Sequence, residues 1–264
     1  IPIAHIGGGE TTEGAFDEAI RHSITKMSFL HFPATEEYRN RIIQLGEDPE
    51  RIFNVGGTGV DTIRKSDLLK KEELEQKLGL KFSSKNLLVT FHPVTIEKDT
   101  AESQIDQLLA ALETLKDTYT IFTAPNADTG SRIILKKLNK FVSTFPQRSI
   151  TFTSMGQLNY FSALQYVDAV IGNSSSGLSE APSFRIGTIN IGDRQKGRIK
   201  ANSVIECEPK KESILEAIQQ VYSQEFQKIL NRTKNPFGDG HASEKILNIL
   251  SMYSPRRADI IYIY

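Results

Sequence analysis

The chain has 264 residues, 39% of them apolar, enough to close the core of one large α/β domain or two smaller ones. Lysine plus arginine and aspartate plus glutamate stand at 32 each, so the formal net charge is zero and no overall field draws the protein to nucleic acid or an anionic membrane. No apolar run approaches the ~20 residues that cross a bilayer and no signal-peptide pattern opens the chain, so a cytoplasmic protein is expected, one that catches any anionic ligand locally.

Residues 1–6 read as a buried strand with no turn before it, which predicts that an earlier part of the protein precedes it. From there, short β-rich apolar runs alternate with segments of helical period. Strands are predicted at 2–6, 29–33, 52–55, 87–91, 120–123, 149–152, 169–171, 188–191 and 204–206. Helices are predicted at 17–27, 36–45, 71–78, 101–116, 131–145, 157–165, 210–222 and 239–250. Such alternation specifies an α/β protein built on parallel sheets. Gly56-Gly-Thr-Gly59 and the charged stretch after it break the rhythm before a fresh strand begins, so a boundary is placed there. Residues 1–60 would end one Rossmann-like lobe, 61–250 would form a second, and 251–264 is a tail without an assigned role. The single cysteine, Cys207, allows no internal disulfide, and no Cys/His cluster suggests a metal.

In parallel α/β sheets ligands bind beyond the carboxyl ends of strands, so the loops that follow strands carry the candidates. After the first strand, Gly7, Gly8 and Gly9 allow close backbone approach, and Glu10, Glu13, Asp17 and Glu18 crowd carboxylates at a helix start. They suit acid/base work, or Asp17 and Glu18 serve only the helix dipole. The loop is neither a Walker loop nor a dinucleotide fingerprint. His92 directly follows a buried strand, where it can shuttle protons, hold a phosphate or simply pack. Asn126 and Asp128 also follow a strand, in residue types that any turn would use. Gly172-Asn-Ser-Ser-Ser-Gly177 leads from a strand into a helix, and its hydroxyls and N–H groups make a neutral anion cradle or an ordinary cap. Glu180, a little further on, suits ribose hydroxyls, and Arg194 and Arg198 can fork phosphate oxygens.

Taken in order, these stretches resemble the UDP-N-acetylglucosamine 2-epimerase family in its hydrolysing, sialic-acid-pathway branch. The matching pieces are Gly8-Gly-Glu10, Gly14-Ala-Phe-Asp-Glu-Ala-Ile-Arg-His-Ser-Ile-Thr-Lys26, Thr90-Phe-His-Pro-Val-Thr95, Pro125-Asn-Ala-Asp128, Gly172-Asn-Ser-Ser-Ser-Gly177 with Glu180, Asn190-Ile-Gly-Asp-Arg-Gln195 and Asn235-Pro-Phe-Gly-Asp-Gly240. The resemblance implies a GT-B-like pair of Rossmann-like lobes, with a UDP-sugar substrate held mainly by the C-terminal one. It implies Asp17, His92 and Glu10 as catalytic residues, and Asn126, Ser174, Ser175, Glu180 and Arg194 as substrate contacts. Some relatives carry a catalytic glutamate where this chain has Gly7, so that role passes to Glu10 or is lost. The implied reaction expels UDP to leave a glycal and then hydrates it to N-acetylmannosamine, with no cofactor or metal. A homo-oligomer, dimer or tetramer, is also implied. Three alternatives stand beside this reading: the same chemistry on UDP-N,N'-diacetylbacillosamine, a GT-B glycosyltransferase, and a non-catalytic UDP-binding fragment.

Overall fold

The computed structural model describes residues 2–11, 17–93, 100–127 and 130–253, with Asp17 described in its backbone only. They form two compact units: one holds the residues up to Lys65 and those from Asn235 onward, the other Ser66–Lys234.

The first unit opens with strand β1 (Ala4–Ile6), helix α1 (Asp17–Met27), strand β2 (Leu30–Phe32) and helices α2 (Glu36–Gln44) and α3 (Thr58–Lys65). β1 and β2 pair in parallel, in register from Ala4 with Leu30 to Ile6 with Phe32. Thr35 caps α2 by accepting from the Tyr38 N–H at 3.2 Å, and Glu36 and Glu37 in the first turn complement the helix dipole. The strand expected at 52–55 is reduced to a single parallel bridge between Ile52 and His31. The chain does follow β2, since Phe53 N–H donates to His31 O at 2.9 Å and Val55 N–H to Pro33 O at 3.1 Å. Pro33, however, has no N–H with which to return a rung.

The second unit contains α4 (Lys71–Leu78), β3 (Lys85–Thr90), α5 (Ala101–Glu113), β4 (Thr118–Thr123), α6 (Ser131–Thr144), β5 (Ser149–Phe152), α7 (Gln157–Leu164), β6 (Ala169–Gly172), α8 (Ser176–Ser179), β7 (Gly187–Ile191), β8 (Val204–Cys207), α9 (Lys211–Val221) and α10 (Gln224–Arg232). Its six strands are all parallel, in the order β5-β4-β3-β6-β7-β8. Side chains alternate across the strands. Leu87 and Val89 of β3 join Ile105, Leu108, Ile134, Ile214 and Ile218 in one apolar cluster, so α5, α6 and α9 cover that face. Leu88, Ile121 and Val170, aligned on neighbouring strands and pointing the other way, are as fully buried. Burial on both faces explains why these strands read as unbroken apolar runs.

The last helix, α11 (Ala242–Met252), belongs to the first unit, which corrects the expected lobe of 61–250. Ala242 and Ile246 pack with Leu30, Phe32 and Val55. The carboxylate of Asp61, buried on α3, caps this helix across the sequence, accepting from Ala242 N–H at 2.8 Å and Ser243 N–H at 2.7 Å. Helix α3 was hidden in the stretch that reads as a break, because Gly59 and the flanking threonines mask its period. Of the tail, 254–264 lies outside the described residues.

Candidate functional site

The chain leaves β3 toward β4 and β5, then crosses back to place β6 on the other side of β3. This reversal makes a topological switch point, and two loops diverge there, one leading to His92 and the other to Asn173. The backbones approach so closely that a Cβ on Gly172, at φ +135°, would sit 1.9 Å from the carbonyl oxygen of Thr90. Only glycine fits at that position.

Asn173 is fully buried and ties the loops together. Its side chain accepts from His92 N–H at 2.7 Å and donates to His92 O at 2.8 Å. Its own N–H donates to Thr90 O at 3.2 Å. Its carbonyl oxygen accepts from Arg194 Nη1 at 3.0 Å and Gln195 Nε2 at 2.8 Å. His92 is itself buried, and its Nδ1 accepts from the Asn126 N–H at 3.1 Å. An accepting Nδ1 places the proton of the neutral ring on Nε2, which makes that atom a donor.

The loop after β6 differs from the expected helix start. α8 has four residues and passes at once into a 3-10 turn, Ala181–Phe184, so it carries little macrodipole. Hydroxyls supply the polarity instead. Ser175 stands at the N-cap without a side-chain capping bond. Ser174 Oγ accepts from the Ser176 N–H at 3.4 Å and keeps its proton to donate. Glu180 ends this short helix. Burial pushes its carboxyl above the usual carboxylate range, partly offset by the nearby Ser176 hydroxyl.

Arg194 lies on a 3-10 turn, Asp193–Gln195, after β7, where one guanidinium N–H is already given to Asn173 O. Asn126, His92, Ser174, Ser175 and Arg194 therefore lie in the loops at the carboxyl ends of the adjacent strands β4, β3, β6 and β7, with Glu180 one short helix beyond β6. Glu10 and Asp17 lie in the first unit. The backbone carbonyl of Glu10 accepts from Arg21 Nη1 at 3.0 Å, and Asp17 opens α1. Asp128 and Glu13 lie outside the described residues. Sequence reasoning passed over Asn173, although an asparagine directly after a strand-ending glycine is a signal that could have marked it. Gln195, also fully buried, had no such signal.

Burial pushes the Cys207 thiol up to about 12, as befits a small packed residue. Among the described residues no group of three His, Cys, Asp or Glu stands together as a metal site needs. Among them also, no helix is long and apolar enough to cross a membrane.

The UDP-N-acetylglucosamine 2-epimerase family profile matches residues 1–251. The polysialic acid biosynthesis protein P7 of Escherichia coli is 43% identical over 238 residues, covering 90% of this chain and 60% of that protein. The GDP/UDP-N,N'-diacetylbacillosamine 2-epimerase (hydrolyzing) of Campylobacter jejuni is 40% identical over 226 residues, 86% of this chain and 58% of the relative. The crystal structure of UDP-GlcNAc 2-epimerase from Neisseria meningitidis bound to UDP-GlcNAc matches with a TM-score of 0.81 at 19% identity, over 96% of this chain and 70% of that one. At that identity the likeness shows the fold alone, which is the α/β, GT-B-like class read from the sequence. The chain spans about 60% of the length of the curated relatives it matches.

Proposed function

Since this chain belongs to the UDP-N-acetylglucosamine 2-epimerase family, we propose that its protein is a hydrolysing UDP-N-acetylglucosamine 2-epimerase, converting UDP-GlcNAc and water to N-acetylmannosamine and UDP. The observation that carries this is the clustering, at neighbouring strand ends beside the switch point, of hydroxyls, an arginine, a histidine Nε2–H and a carboxylate. That set matches a nucleoside diphosphate group by group.

In this reading Glu180 accepts the ribose hydroxyls, and Ser174, Ser175 and Arg194 hold the diphosphate. The His92 Nε2–H donates to the departing phosphate oxygen, and Asn126 positions the His92 ring through its N–H. A carboxylate base from the glycine loop removes the C2 proton as the C1–O bond to UDP breaks, leaving a glycal. Water then adds, hydroxyl to C1 and a proton to C2 from the opposite face, with Asp17 as the acid and Glu10 as the second carboxylate. The sequence is redox-neutral, so its balance needs no redox cofactor.

Incubating the full-length protein with UDP-GlcNAc in heavy water and following the products by NMR tests this. N-acetylmannosamine deuterated at C2, together with UDP, is the expected result. Sugar transfer only when an acceptor is added would indicate a glycosyltransferase instead. UDP binding without turnover by the full-length protein would indicate a non-catalytic module. The likeness to the Campylobacter relative favours a second substrate, UDP-N,N'-diacetylbacillosamine. A higher kcat/KM for that sugar nucleotide would replace the first. Family membership also supports a cytoplasmic homo-oligomer, dimer or tetramer, to be checked by cell fractionation and light scattering.

A further inference from the structure

The loop that leaves β1 is pinned along its glycines. Gly7 N–H donates to Phe32 O of β2 at 3.0 Å. Gly9, at φ +79°, lies so close to α2 that a Cβ there would stand 2.3 Å from the carbonyl oxygen of Tyr38. Two successive carbonyls are then each taken by an arginine from a different helix. Arg41 Nη1 of α2 donates to Gly9 O at 2.5 Å, and Arg21 Nη1 of α1 donates to Glu10 O at 3.0 Å. Arg41 is itself held, its Nη2 donating to Glu37 Oε1 at 3.1 Å and its guanidinium lying 5.6 Å from the centroid of the Tyr38 ring. From this fixed backbone the Glu10 side chain returns toward the first glycine: a Cβ on Gly7 would stand 3.9 Å from Glu10 Oε1. Among the described residues no hydrogen bond or ion pair engages that carboxylate.

We propose that Arg21 and Arg41 are positioning residues that act through Glu10: by holding the carbonyls of Gly9 and Glu10 they fix the direction in which the Glu10 side chain leaves the backbone, and so keep its carboxylate beside Gly7 as a preset proton-transfer group. The proposal rests on the epimerase reading above, which places Glu10 in the chemistry, and deepens it. Gly7, Gly8 and Gly9 follow one another, and glycine loses more conformational freedom on ordering than any other residue, so this loop needs anchors to stand still. Hydrogen bonds from a charged donor are about twice as strong as neutral ones, and a guanidinium keeps its protons throughout the pH range of enzymes. Because both arginines hold backbone oxygens, they order the loop without occupying the lone pairs of the carboxylate that has to take up a proton. Such chemistry tolerates little displacement: a shift of about 1 Å at a reacting group costs on the order of 10²-fold in rate.

Steady-state release of UDP from UDP-GlcNAc by the full-length protein, with calorimetry of UDP binding beside it, tests the clamp. Arg21→Met and Arg41→Met keep the length of the side chain and remove its donors. Each is expected to lower kcat about ten- to hundredfold while KM and UDP affinity stay nearly constant, because the loss falls on the reacting geometry. Arg21→Lys keeps a charged donor and should recover part of that loss. Glu10→Gln should itself lower kcat about 10²–10⁴-fold. Adding Arg21→Met to Glu10→Gln should then change kcat little further, since the arginine acts only through the carboxylate. Losses that multiply in the double variant overturn the clamp, as does an Arg21→Met or Arg41→Met protein that loses thermal stability or UDP affinity at unchanged kcat. Near-normal turnover in Glu10→Gln overturns the clamp and leaves the epimerase reading standing. Failure of the wild type to release UDP from UDP-GlcNAc overturns that reading itself, and the clamp with it.

Discussion

Replacing Asn173 by alanine removes two buried hydrogen bonds at once, those to the N–H and the C=O of His92. Neither backbone group can turn to water, since His92 is 6% exposed and Asn173 is completely covered. Each orphaned buried group costs about 1–3 kcal/mol, so the variant should lose about 2–6 kcal/mol of a total that is typically about 5–15. The chain has no tryptophan, so far-UV circular dichroism during urea unfolding is the suitable readout. Asn173→Asp sharpens the test. Its carboxyl can still accept from His92 N–H, but it faces the His92 carbonyl with a second oxygen and is accommodated only when protonated. Its folded pKa should therefore lie above the unfolded value of about 3.9. A raised carboxyl stabilises fully below the unfolded pKa and loses that contribution as pH rises through the folded one. Relative to wild type, Asn173→Asp should thus weaken as pH rises from about 4 to 7. A loss below about 1 kcal/mol for Asn173→Ala, or a pH-independent difference for Asn173→Asp, would refute the reasoning.

Asp61→Asn leaves one of the two α11 N–H groups without an acceptor and should cost the first unit about 1.5–3 kcal/mol by urea unfolding. Burial alone would raise the Asp61 carboxyl, but Ser243, Ala242 and Lys65 outweigh it and hold it below its ordinary range. Its contribution should be present above the unfolded pKa and vanish as pH falls through the folded one, an acid sensitivity that Asp61→Asn should lack. Arg194→Ala should weaken UDP binding by about 1–3 kcal/mol in calorimetry of the full-length protein, and an unchanged affinity would move the diphosphate elsewhere. Asp17→Asn keeps shape but cannot exchange a proton near neutrality, so turnover should fall about 10²–10⁴-fold at constant UDP affinity. Near-normal turnover in the folded variant would leave Glu10 or Glu18 as the acid.

Local chemistry made much of the fold legible. Helices 17–27 and 71–78 and strand 149–152 were read with the bounds they have, because apolar period and end signals such as the left-handed Gly79 after α4 lie within a few residues of each other. The strand-end loops were legible for the same reason: glycine, serine and asparagine directly after an apolar run mark where a parallel strand stops. Asn126, His92, Ser174, Ser175 and Arg194 could therefore be placed in the loops that follow strands from the sequence alone. Strand order was not available from it, and strand order is what brings those loops side by side. Nor was the role of Asn173, whose partners are Thr90, His92, Arg194 and Gln195, or that of Asp61, whose partners lie 181 and 182 residues away. Periodicity reports which face of an element is apolar and where the element ends. It carries no record of which buried donor meets which distant acceptor, and that pairing is decided only when the sheet has brought the strand ends together and excluded water from them.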